Sequence, residues 1–139
     1  MAYSMDLRAA AYRHLHAADA LVKNEPDRNA QHRSVSGYLY GIAAECAVKA
    51  LLEQAGMRPR VQAQRQDDPL FAHFPELRSM LRDLPAGRLS GPIVRFIFDD
   101  SFMHHWNTKM RYAPGSDVQS DWVATWQEQA RQVVACIDT

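Results

Sequence analysis

The chain has 139 residues, the length of one domain, and at that size roughly two-thirds of the unfolded surface can be buried. Its 16 basic and 16 acidic residues cancel, which excludes a generally basic nucleic-acid binder but leaves room for a local basic groove. No apolar run reads as long and uniform enough to span a bilayer, and residues 1–6 lack the charged and apolar regions of a signal peptide, so a cytoplasmic protein without a membrane partner is expected.

Ser4 to Lys23 reads as the first helix. Ser4 can cap it, and Leu7, Ala10, Ala11, Leu15, Ala18, Leu21 and Val22 form its apolar stripe. His14 and His16 do not share a face and read as solvated or half-buried side chains rather than metal ligands. Residues 24–29, with Pro26, break the helix.

The second helix is predicted over 31–55, ending at Gly56. It carries the longest apolar run of the chain, from Ser34 to Gln54. Leu39, Ile42, Ala43, Cys46, Ala47 and Ala50 recur at helical steps, while Tyr38, Val48, Leu51 and Leu52 add apolar surface on other sides. A helix apolar nearly all round belongs in the middle of a bundle. Gly37 and Gly41 each weaken a helix by about 1 kcal/mol, and are expected to admit a neighbouring backbone. Glu45 and Lys49 interrupt the run, four apart and in the favourable order for a helical pair. Buried charges are costly unless paired, so their face is expected to meet water, a subunit or a polar site. Cys46 and Cys136 both sit in apolar helical patterns and read as buried free thiols of a cytosolic protein.

Residues 57–70 read as a loop. Arg58, Arg60 and Arg65 stand there against Asp67 and Asp68, either as a solvated connection or as a basic lip over an anionic ligand. A short helix begins near His73 with Pro75 at its first position; Leu77, Met80, Leu81 and Leu84 point inward, and Pro85 and Gly87 end it. Ser90 caps the next helix, whose stripe is Ile93, Phe96, Ile97 and Met103. After a turn at 116–119, the last helix is predicted from Ser120 to Ile137, presenting Trp122, Val123, Trp126, Ala130, Val133, Val134 and Ile137. No strand pattern appears.

The polar side chains richest in chemistry cluster from His104 to Tyr112. If that run is helical, His104 and Arg111 are seven apart and share a face. Trp106, Lys109 and Tyr112 add aromatic surface and charge, and cations beside aromatics suit a phosphate with a stacked base. The plainer alternative is a structural helix end, with Trp106 packed and Arg111 bonded to carbonyls or to Glu45. His73, His104 and His105 lack metal-ligand spacing, so no metal is expected, and no other cofactor. Nucleophile and phosphate-loop signatures are absent.

Three segments resemble one family. Ala43, Glu45, Lys49, Ala50 and Leu51 match the Ala-x-Glu-x-x-x-Lys-Ala-Leu of the second helix of HEPN domains. His73 followed by Leu77 and Leu81 is similar to the family's His-x-Leu-x-x-Leu segment, with a different gap before the first Leu. Trp106 with Arg111, Tyr112 and Pro114 is similar to its Arg-Tyr-Pro element before the last helix. The resemblance implies an all-α, up-and-down bundle of about five helices, one domain over 1–139, paired as a homodimer. It implies a module binding nucleotide or RNA, in a bacterial toxin–antitoxin or defence system, with a nucleotidyltransferase as a possible partner protein. In that reading Arg111 and Lys109 contact phosphate, His104 or His105 assists, Trp106 or Tyr112 stacks, and Glu45 orients Arg111, with Lys49 and His73 beside them. The alternatives are an endoribonuclease in which His104 is the general acid–base and Arg111 stabilises the charged phosphorane, or a structural dimerisation module. The Arg-x4–6-His motif of the family's RNases is missing late in the chain: no His follows Arg95 in that window and none follows Arg111. Arg8 and His14 have the spacing, but in the first helix.

Overall fold

Five α-helices, the apolar second one at the centre, form the described residues 3–24, 30–85 and 87–139 of a computed structural model together with their connections. They are α1 (Leu7–Asn24), α2 (Ala30–Gln54), α3 (Glu76–Arg82), α4 (Gly91–Ile97) and α5 (Ser120–Ala135), and no strand occurs among the described residues. The expected helix break around Pro26 lies mostly outside the described residues.

Asp6, rather than Ser4, caps α1: its carboxylate accepts the Ala9 N–H at 3.0 Å. Leu7, Ala11, Leu15 and Ala18 are then spaced to bury one stripe against α2. α5 covers another side of α2 with Val123, Trp126, Ala130, Val133 and Val134. Between them Ala43, Ala44 and Ala47 are fully buried, and small side chains let the three helices approach. By length and composition α2 is able to cross a bilayer, which corrects the expectation that no run would; 72% of its apolar window is instead buried within the fold.

The two α2 glycines admit indoles, not a backbone. A side chain at Gly41 would stand 1.9 Å from the Trp106 ring, and one at Gly37 would stand 2.9 Å from Trp126. The Trp106 ring N–H donates to the Gly37 carbonyl at 3.1 Å, so the indole is satisfied where it is buried. A polar network the sequence reading did not anticipate ties the same three helices. Buried Tyr40 donates to Asp19 at 2.6 Å, and the Gln127 amide donates to both, at 2.8 and 3.0 Å. At the bundle's end, Arg8 forms a two-pronged pair with Asp138, which also accepts from Tyr12.

The connection at 57–70 contains two 3-10 turns, Gln62–Asp67 and Pro69–Phe71. Buried Asp68 holds them by accepting the Leu70 N–H at 3.0 Å and the Arg60 N–H at 2.7 Å. The fold departs most from expectation after α4. Helix ends at Ile97, and the next helical turns are 3-10 turns at Thr108–Tyr112 and Gly115–Asp117. Asp99 accepts from the Ser101 N–H and hydroxyl at 2.9 and 2.7 Å, offering the chain an alternative to continued helix. Met103 and His105 adopt φ of 55° and 72°, a conformation that costs a non-glycine residue about 1–2 kcal/mol. α5 holds that conformation in place. Gln129 accepts the Met103 N–H and donates to the Ser101 carbonyl, both at 2.8 Å, and the Trp126 ring N–H donates to the His104 carbonyl at 2.9 Å.

Candidate functional site

Glu45 is the buried carboxylate at the centre of the fold, 2% exposed. Its partners come from the segment leading into α3, not from Arg111. One oxygen meets His73 Nδ1 at 2.9 Å and the other accepts the Phe74 N–H at 2.7 Å. Burial pushes its pKa up, and the bonds from His73, the charge of Lys49 and the Phe74 N–H oppose that shift. Lys49, one turn on, is also buried, and burial lowers its pKa against the pull of Glu45. The Glu45–Lys49 face is therefore covered by the chain itself and meets the polar His73, one of the outcomes expected for it, while the expected pairing of Glu45 with Arg111 is corrected. The physical reason is local: a buried carboxylate needs donors, and an unpaired backbone N–H lies nearer than a guanidinium on an exposed turn.

From Phe74 an aromatic series leads outward. Its ring meets Trp106 edge-on at 6.3 Å, and Trp106 stacks on Tyr38 at 5.6 Å. Trp106 is 2% exposed, so it is a core side chain and not a stacking surface for a ligand. Tyr38 is half-buried, and Arg111 lies over it with the guanidinium 5.9 Å from the ring centre and 5.1 Å from that of Tyr112. Asn107 caps the 3-10 turn by accepting the Lys109 N–H at 2.9 Å, and Arg111 Nε donates to the Thr108 carbonyl at 3.0 Å. Among the described residues no carboxylate pairs with Arg111. Its guanidinium stands beside a small pocket of about 150 Å³ lined by Ser34, Val35, Tyr38, Met110 and Arg111.

The remaining candidates divide. Lys109 and Tyr112 are exposed on the same turn as Arg111. His104 and His105 are exposed on the preceding bend, their rings 3.8 Å apart, with His105 stacked on Trp122 of α5 at 4.2 Å. Because residues 98–105 are not helical, the shared face expected for His104 and Arg111 does not form. Glu45 and Lys49 belong to the internal seam, and exposed His73 reaches Glu45 from the surface. The sequence reading missed Ser34 and Val35, whose spacing from Tyr38 on α2 places all three along one side; that spacing was the available signal.

Arg58, of the expected basic lip, bonds to the carbonyls of Glu53 and Met57, and Arg65 lies over the Phe71 ring at 4.5 Å. These contacts close a helix end and cover a ring. Among the described residues no group of three or more His, Cys, Asp or Glu is arranged to hold a metal. Compared with protein-family models, curated proteins and solved structures, the chain matches none.

Proposed function

We propose that the chain is a HEPN-like module that binds a nucleotide or RNA at Arg111, beside a partner such as a nucleotidyltransferase in a toxin–antitoxin or defence system. The observation that carries this reading is the state of Arg111: a guanidinium without a carboxylate partner among the described residues, steadied by Thr108 and two tyrosine rings at the edge of a pocket. A guanidinium presents a planar fork of donors that matches phosphate oxygens. Tyr112 is 81% exposed and offers a face on which a base can stack. Lys109 adds a second cation to the turn. The pocket's apolar wall of Val35, Tyr38 and Met110 suits a flat ring.

The proposal stops at binding. Cleavage needs an acid–base group placed with the charge stabiliser around one phosphate. The helical alignment that was to bring His104 to Arg111 is interrupted at 98–105. A homodimer belongs to the proposal on the family resemblance, through a face other than that of Glu45 and Lys49.

Calorimetric titration with ATP and with a short single-stranded RNA tests this reading. Saturable binding that weakens as salt rises is expected for a phosphate contact. No saturable binding of either at low salt would contradict it.

A further inference from the structure

A second concavity lies between α4 and α5, away from Arg111. Its volume is about 570 Å³, within the range of about 300–1,000 Å³ usual for small-molecule sites. Phe96 and Phe102, with ring centres 5.2 Å apart, form its apolar floor. Ala124 and Thr125 contribute from α5.

Three charged side chains line it, Arg95, Asp99 and Glu128, and none is paired with another. Arg95 lies over the Phe96 ring at 4.6 Å, and among the described residues its guanidinium donates only to the Cys136 sulfur at 3.5 Å, a weak acceptor. Asp99 uses one oxygen for the turn at Ser101; among the described residues the other accepts no hydrogen bond, while the charge of Arg78 acts on the carboxylate. Glu128 accepts from Gln132 with one oxygen, at 3.2 Å. Opposite charges thus share one small groove without neutralising each other. Arg95 stands in the last turn of α4, and Asp99 lies two residues beyond its end. A groove offering both signs of charge suits a head group carrying both a carboxylate and an ammonium, each reaching one protein charge of opposite sign. A simple dianion would meet two carboxylates, and a simple amine would leave Arg95 unused.

The geometry points to a site for a free amino acid with an apolar or aromatic side chain. Arg95 takes the carboxylate, Asp99 and Glu128 take the ammonium, and the side chain lies on Phe96 and Phe102. The site is independent of nucleotide or RNA binding at Arg111.

Titration calorimetry with three probes tests it: L-phenylalanine, L-phenylalaninamide and 3-phenylpropionate. L-Phenylalanine is expected to bind one to one, and each probe lacking one charge at least about tenfold more weakly, a difference of about 1.4 kcal/mol. Arg95→Gln is expected to weaken L-phenylalanine by a similar factor while leaving L-phenylalaninamide nearly unchanged. Glu128→Gln, the second variant, is expected to weaken L-phenylalanine and spare 3-phenylpropionate. Thermal melts of both variants verify the fold. Absence of saturable binding of L-phenylalanine at millimolar concentration would overturn the inference, as would equal binding of all three probes.

Discussion

The Trp106 indole occupies the space that any side chain on Gly41 would fill: a methyl placed there would stand 1.9 Å from its ring atoms. In an exposed helix, exchanging Gly for Ala gains about 1 kcal/mol. Here the sign reverses. Gly41→Ala is expected to destabilise the protein by about 3 kcal/mol or more, because the indole is enclosed and cannot withdraw without losing its bond to Gly37. Gly37→Ala, meeting Trp126 at 2.9 Å, is expected to cost less. Thermal melts of the two variants check the order; a Gly41→Ala protein as stable as wild type would show that the indole is misplaced.

Glu45 fixes the segment before α3 by accepting from His73 and Phe74. Glu45→Leu leaves the buried Phe74 N–H unpaired and is expected to cost about 1–3 kcal/mol. Glu45→Gln keeps an acceptor and is expected to cost less.

The pH response of Glu45 has a definite sign. Its folded pKa is raised above the ordinary 4.5, so its contribution is full below that value and is lost as pH rises through the raised pKa. Stability measured by denaturant from acid to neutral pH is expected to fall across that window more in wild type than in Glu45→Gln. Parallel curves would contradict the assignment.

Burial pushes the Cys46 thiol up to about 11, from an ordinary 9.0. Little thiolate forms at neutral pH, so Cys46 is expected to react slowly with a thiol reagent while the protein is folded. The same shift removes stability as pH climbs from about 9 to about 11, and Cys46→Ser is expected to lessen that loss. Rapid native labelling of Cys46 is the result that would count against this environment. Both cysteines are half-buried rather than enclosed, as the apolar patterns had implied.

The all-helical bundle was legible because its pattern is periodic. Ala43, Ala47 and Ala50 recur at helical steps on α2, and Val123, Trp126, Ala130 and Val133 do so on α5; all are buried. The region between α4 and α5 was less legible. Its path is set by Asp99, by positive φ at Met103 and His105, and by the distant Gln129, and no local periodicity records such a contact. The proximity of the candidate side chains was legible in composition, and their pairing was not. Arg111, Lys109 and Tyr112 share an exposed turn, as their closeness in sequence implied. The Phe74 partner of Glu45 was not readable, because a hydrogen bond from a backbone N–H leaves no mark on residue identity.

Arg111→Lys is the most direct test of the proposed function. Lys retains the charge and loses the fork of donors. Arg111 is exposed, its only hydrogen bond among the described residues is to Thr108 in its own turn, and Lys keeps the cation over the tyrosine rings, so the melting temperature is expected to stay near the wild-type value. Binding of ATP or single-stranded RNA, measured by calorimetry on the same preparation, is expected to weaken by about 1–3 kcal/mol, the value of a charge-assisted contact. An Arg111→Lys protein that binds both as tightly as wild type would contradict the assignment of the site to Arg111.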